Sequence, residues 1–534
     1  MKHLLSSFRL IALLAFSFSV LIEAQQTARP QHLFFHVTLG PQFQQPVSGR
    51  MLLFVSPGSG AKAVDMSMMA PTKVYIAAKE ISHLLPGETV DIDADDGAFP
   101  GPLSQAAPGD YEAQAVLDVA HTYNYAGRQP GDLVSEVIAM PAWNPRTQPA
   151  ATMTLATTVP EPADPLAGMP DVQSALHRVD FISPVLSRFW GRKISMKAWV
   201  LLPPGYNSHP NLKYPTVYFT HGFGGSMPEM RARFAPVFYQ RIKDGKMPEM
   251  IWVLLDESSP TGTHEFADGV NNGPWGTALT TELIPYLESH YRMDARTSGR
   301  FLQGHSSGGW ATLWLQTTYP KIFGGTWSTS PDPSDFHAFS TIDLYAAGAN
   351  MYRRADGTPQ PIIRMDGKVV ATMEQMAHLE AVLGDYGGQI GSFEWVFSPR
   401  GPDGRPVPMF NRATGAVDPK VIAYWGAHYD IARQIQSHWD TQAPDLRGKI
   451  HLYVGTEDTF YLNHATRQLQ ILLHQLNAQA QFTFVPGRSH FNLYRQGDDP
   501  YGLFDQIAAQ MYAIARPTPE KNSSARGLRA GDRE

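Results

Sequence analysis

The sequence predicts an α/β fold built on a mainly parallel sheet, with a long insert between late sheet strands and an all-β, sandwich-like domain in front of it. Three observations lead there. From Val179 onward, short apolar runs alternate with helical stretches, the rhythm of strand–helix–strand units. Between Gln31 and Val159, short β-like runs are separated by Pro and Gly clusters, with no helical period. Finally, Gly304-His305-Ser306-Ser307-Gly308 sets a serine between two glycines, directly after an apolar run and before a helical stretch.

The N-terminus reads as a targeting segment, residues 1–24. Lys2, His3 and Arg9 make a positive start, Leu10 to Ile22 form an apolar stretch of 13 residues, and Ala24 is a plausible residue before a cut. That stretch is short for a membrane span, which takes about 20 residues, so export without a stable membrane anchor is expected, to a periplasm or the extracellular medium. Residues 28–159 form the expected β domain, with strands at His32–Leu39, Arg50–Val55, Lys73–Ala78, Thr89–Ala94, Tyr111–Val119 and Met153–Thr158. Their spacing suggests an immunoglobulin-like sandwich. Residues 160–175, opening with Pro160-Glu161-Pro162-Ala163-Asp164-Pro165, read as a stiff linker.

The second domain is expected over 176–515. Val179–Ser183 and Lys193–Leu202 form an antiparallel lead-in. Parallel strands follow at Tyr214–Thr220, Met250–Leu255, Arg300–Gln303, Gly324–Ser328, Ile450–Val454 and Phe482–Val485. Thr280–His290, Trp310–Thr318 and Ala465–Leu476 are helical between them, and Leu503–Ala515 is a closing helix. From Pro331 to Arg447 the gap between neighbouring strands is far longer than an ordinary connection, so about 331–447 is read as a lid. It holds a helical stretch at Ala371–Leu383, loops around Gly387 and Gly401–Gly404, and Trp395, Trp425 and Trp439. Its aromatics are expected to select substrate. Residues 516–534 are polar, lack apolar periodicity and read as disordered.

Chemistry gathers at strand ends. Ser306 on a sharp turn projects its hydroxyl above the sheet, while Gly304 and Gly308 let strand and helix approach closely. Upstream, the strand ending at Thr220 runs into His221-Gly222-Phe223-Gly224-Gly225, a loop whose backbone N–H groups suit half of an oxyanion hole, at Gly222 and Phe223; the N–H of Ser307 would supply the other half. Downstream, Asp458 follows one strand and His490 the next, giving the Ser, Asp, His chain order of an α/β-hydrolase. Glu457 is the rival acid; Asp458 is preferred because a shorter side chain holds an imidazole with fewer torsions to fix. The loop from Asp256 to Gly276 should lie beside the pocket, making His264, Asn271, Asn272 and Trp275 candidate substrate contacts, with Trp310 on the elbow helix. Neither His264 nor Glu265 has the spacing of a metal site, and no metal or cofactor is called for.

At these residues the chain resembles the putative-esterase, or esterase D-like, family of α/β-hydrolases. The resemblance runs from Val179 to Ala515 and rests on His221–Gly225, Glu282-Leu283-Ile284-Pro285-Tyr286-Leu287-Glu288, Gly304–Gly309, Gly455–Asp458 and His490. Within that family, enterochelin-esterase-like members also carry an N-terminal sandwich. The resemblance implies Ser306 as nucleophile, His490 as general base then acid, and Asp458 as its orienting carboxylate.

Composition agrees with an enzyme acting on a small-molecule or oligosaccharide ester. A net charge of −6 over 534 residues gives no basic face for nucleic acid or an anionic membrane. With no cysteine there is no thiolate nucleophile and no disulfide framework. A carboxylesterase acting on carbohydrate, aromatic (feruloyl-type) or siderophore esters is the first expectation. An acyltransferase using the same three residues is the second, and a non-catalytic binding protein the third.

Overall fold

The computed structural model describes residues 32–384 and 388–517. The targeting segment expected at 1–24, the loop position Gly387 and the tail beyond Pro517 lie outside the described residues. Arg516, which the sequence reading assigned to the tail, closes the fold: its guanidinium is 2.7 Å from the Asp294 carboxylate.

Eight strands make the sheet that carries the site. Across it run Gln481–Val485, Ile450–Gly455, Gly325–Thr329, Arg300–His305, Thr216–Thr220, Ile251–Leu255, Ser195–Leu201 and Leu176–Ile182. The first six are mutually parallel, Ser195–Leu201 runs antiparallel to them, and Leu176–Ile182 pairs antiparallel with Ser195–Leu201 at the edge. Every residue of Thr216–Thr220 and Ile251–Leu255 is buried, because both faces of the sheet are covered and alternate side chains enter separate cores. Tyr218, Val253 and Leu302 pack on one face; Phe219, Trp252, Leu254 and Phe301 pack on the other. Among the described residues no helix is long and apolar enough to cross a membrane.

The N-terminal β domain is one hydrogen-bonded sheet of eight strands. It branches at Gly109–Asp118, which pairs with Val47–Pro57 on one edge and with both Leu133–Ser135 and Ile138–Trp143 on the other. The two layers of the expected sandwich are therefore continuous. Within Val47–Pro57, Met51, Leu53 and Val55 enter the domain's own core, whereas Leu52 and Phe54 face outward and are just as fully buried.

What covers that outward face is the insert. Its helix Met373–Leu383 opens with a reciprocal cap between Thr372 and Gln375. The helix lays Met376, Leu379, Val382 and Leu383 onto Leu52, Phe54, Ile76 and Val116 of the β domain. A hairpin precedes it, Pro361–Met365 with Lys368–Thr372, closed by Asp366-Gly367 with both residues at positive φ, as a two-residue hairpin turn requires. The insert is shorter than the sequence suggested. Helix Ile431–Leu446 packs beside the elbow helix and Asn463–Gln475 and is the ordinary crossover into strand Ile450–Gly455, so the inserted part ends near Asp430. Nor is residues 160–175 a bare linker: Leu166 is fully buried and Asp164 bonds to Arg231.

Candidate active site

Strand Arg300–His305 ends in Ser306, and helix Ser307–Thr318 begins at once. Ser306 has φ 61° and ψ −126°, a conformation that a non-glycine residue adopts only when its surroundings impose it. The imposing contacts are specific. The Ser306 N–H donates to Thr329 O (3.0 Å), and Ser306 O accepts from Trp310 and Asp332 N–H (3.0 and 3.2 Å). A Cβ on Gly304 would strike the Gly308 carbonyl, and one on Gly308 would strike the carbonyls of Thr220 and His221. Both glycines are thus steric requirements of the turn. Ser307 opens the helix, where backbone N–H groups have no intrahelical acceptor.

Asp458 and His490 meet from adjacent strand ends. His490 Nδ1–H donates to Asp458 Oδ2 at 3.0 Å, in a site where Asp458 is fully buried and His490 nearly so. Burial alone would raise the Asp458 pKa. The neighbouring imidazole outweighs it, aided by the N–H groups of Phe460 and Leu462, which donate to Oδ1 at 3.0 and 3.2 Å, and the carboxyl is held below its ordinary value. Glu457, the rival acid, is exposed and faces Arg364 (3.4 Å). His305 packs 4.4 Å from the His490 ring. Burial, then repulsion from His490, pushes the His305 pKa well down, which keeps this neighbour uncharged.

The loop after Thr216–Thr220 closes over the serine. A Cβ on Gly222 would lie 2.9 Å from both His305 O and Ser306 Cβ, so only glycine permits this approach. His221 anchors the loop: its Nδ1–H donates to Gly222 O (2.8 Å) and its Nε2 accepts the Glu257 N–H (3.2 Å). Beneath lie buried carboxyls. Burial pushes Glu257 up to about 8 and Asp332 up to about 6; Asp332 accepts the Ser307 hydroxyl at 2.5 Å.

Ser306, His490, Gly222 and Phe223 all border one cavity of about 310 Å³, and Ser306 also borders a second of about 60 Å³. The five residues expected as substrate contacts border neither. His264 is fully buried with Trp275 stacked on it at 3.7 Å, and Asn271 donates to Ser398 O (2.8 Å) beneath the insert. Asn272 O accepts the Trp190 and Trp275 indole N–H groups. Trp310 is fully buried against Trp314 and Phe397. The insert's helix Gln389–Phe397 and the segment following it cap the Asp256–Gly276 loop at Thr263 and Asn271 and the elbow helix at Trp310, turning that part of the expected rim into interior, whereas Asn272 and Trp275 are held against Trp190 and His264. For the same reason Trp425 is core, its Nε1–H donating to Ser398 Oγ (2.9 Å), and Trp395 borders neither cavity.

Other residues take the walls. Phe460, Phe491 and Tyr494 border the larger cavity and lie within four positions of Asp458 or His490, a proximity readable from sequence. Met68 and Tyr125 border both cavities and come from the β domain, where no local pattern marks them. Tyr125 packs on Phe223 (5.7 Å) and donates its hydroxyl to Glu380 of the insert.

A family model described as "Putative esterase" matches residues 192–507, more than half of the chain. The esterase Rv1288 of Mycobacterium tuberculosis is 27% identical over 149 residues, 28% of this chain and 31% of that protein. The matched stretch thus spans less than a third of that relative. Among solved structures, a ferulic acid esterase aligns with a TM-score of 0.40 at 16% identity, covering 64% of this chain and 98% of that one. A fluorophosphonate-binding serine hydrolase of Staphylococcus aureus aligns at 0.39 and 13% identity, covering 64% and 98%.

Proposed function

The chain belongs to the putative-esterase family of α/β-hydrolases, and from that premise we propose that it is an exported serine carboxylesterase working through Ser306, His490 and Asp458. Ser306 Oγ attacks the ester carbonyl as His490 Nε2 takes its proton. His490 returns that proton to the departing alcohol, leaving an acyl-serine that water then hydrolyses by the same route. Asp458 holds the Nδ1–H tautomer and stabilises the imidazolium. The N–H groups of Ser307 and of Phe223 or Gly222 receive the oxyanion, a contribution of about 2.7–4 kcal/mol per donor in comparable sites.

The observation carrying this reading is the juxtaposition of a strained, cavity-facing serine with a histidine already oriented by a buried carboxylate. Export rests on the positive start and apolar stretch of residues 1–24, and is checked by N-terminal sequencing of protein recovered from the periplasm or medium. Ser306→Ala is expected to lower kcat for p-nitrophenyl acetate by at least ~10³-fold with unchanged circular dichroism. Fluorophosphonate should label Ser306 in the parent protein; near-normal turnover by the variant, or label on another serine, refutes the assignment.

A further inference from the structure

Two cavities meet at Ser306, and they differ in chemistry. The larger, about 310 Å³, is bordered by His490, the His221–Gly225 loop, Arg233, Tyr501 and the 60% exposed Phe491. The smaller, about 60 Å³, is bordered by Met68, Ile363, Met373, Met376 and Phe393, but not by His490. In acyl transfer the histidine must hand its proton to the departing alkoxide oxygen, so the leaving alcohol has to occupy the cavity that His490 borders. The acyl group is left with the other.

That smaller cavity offers a ligand hydrocarbon and thioether surface. The two carboxyls on its wall are already engaged: Asp332 accepts from Ser307 Oγ (2.5 Å) and Gln389 Nε2 (3.4 Å). Glu380 accepts from the Ile390 N–H (3.0 Å) and the Tyr125 hydroxyl. A polar acyl substituent entering here would lose water against a wall that is mainly hydrocarbon and thioether. Size sets a second limit, since this cavity has about a fifth of the volume of the larger one, 60 against 310 Å³, and so takes the smaller half of the ester. Its wall is composite: Met373 and Met376 come from the insert, Met68 and Tyr125 from the β domain.

We infer that the β domain and the insert together build an acyl subsite restricting this enzyme to esters of short apolar acids carried on a bulkier alcohol. This rests on the esterase reading above. It gives the N-terminal domain a direct part in substrate choice, with Met68, Tyr125 and Met376 as specificity-determining residues.

The test uses the full-length protein with p-nitrophenyl acetate, butanoate and octanoate and with methyl ferulate, active sites being counted by fluorophosphonate. The expected kcat/KM for octanoate and ferulate is at least ~10-fold below that for acetate and butanoate, in line with the cost of misfit in a fixed apolar pocket. Met68→Ala and Met376→Ala should each raise the octanoate-to-butanoate ratio several-fold. Met68 is only partly buried, so its truncation spares the fold should Met376→Ala prove unstable. Octanoate or ferulate turned over as fast as butanoate overturns the inference, as does an unchanged ratio in a folded Met68→Ala, while label and turnover at Ser306 leave the esterase reading standing. Absence of both turnover and label overturns that reading and the inference with it.

Discussion

Asp458 and Glu457 are neighbours in sequence and opposites in environment. Asp458 is fully buried, accepts two backbone N–H groups on one oxygen and the His490 Nδ1–H on the other; Glu457 stands in solvent beside Arg364. Because only a carboxylate in contact sets the imidazole tautomer, Asp458→Asn should lower kcat by about 10³–10⁴-fold while Glu457→Gln changes it less than twofold. Steady-state kinetics on the two variants decide it, and the reverse ordering would move the role to Glu457. The preference for the shorter acid was readable from torsional economy alone. The substrate contacts were not: His264 and Asn271 sit on a loop after a parallel strand, where a rim is the rule, yet a segment more than a hundred residues later in sequence caps that loop and both are buried.

At the scale of elements, the elbow is a packing solution before it is a catalytic one. The carbonyls of Thr220 and His221 occupy the space a Gly308 Cβ would need, and backbone cannot swing aside as a side chain can. Gly308→Ala is therefore expected to displace the His221–Gly225 loop from Ser306 and to abolish ester hydrolysis and fluorophosphonate labelling together. Retention of either at the parental level would refute the steric account. The insert makes the complementary case. Trp425 was expected to select substrate, but it is fully enclosed by Phe336, Phe339 and Phe397. Trp425→Ala should lower unfolding stability by about 3–5 kcal/mol without altering the ratio of kcat/KM between acetate and butanoate esters. Denaturant titration and paired kinetics check both halves. The hairpin ahead of Met373–Leu383 is signalled in the sequence by Asp366-Gly367, a two-residue turn pair.

Across the whole molecule, buried carboxyls under the site couple stability to pH. Glu257 keeps its proton in the folded state to about 8 against 4.5 in its absence of burial, and Asp332 to about 6 against 3.8. The folded chain therefore binds more protons than the unfolded chain between these limits, so this contribution is complete below the lower value and lost as pH rises through the upper. Measured against Glu257→Gln, which cannot ionise, the parent's melting temperature should drop progressively between about pH 5 and about pH 8, the buried histidines acting equally on both. Parallel profiles of parent and variant over that interval would exclude the buried, protonated carboxyl.

What the sequence by itself determined is whatever depends on short-range pattern: parallel strands as runs apolar on both faces, a turn that only Gly-x-Ser-x-Gly can make, and acid and histidine at successive strand ends. Chain order places such residues because each strand end is held by its own hydrogen-bond ladder. Even the double burial of the β domain was latent in Met51-Leu52-Leu53-Phe54-Val55, five apolar residues where a one-sided strand would alternate. Only the tertiary structure decided what covers that second face, and with it the walls around Ser306. Met68, Tyr125, Met376 and Phe460 lie in four separate stretches of chain, and their convergence follows from three bodies packing against one another. Hydrophobic contact is non-directional, so an apolar face declares that it will be buried without declaring by what.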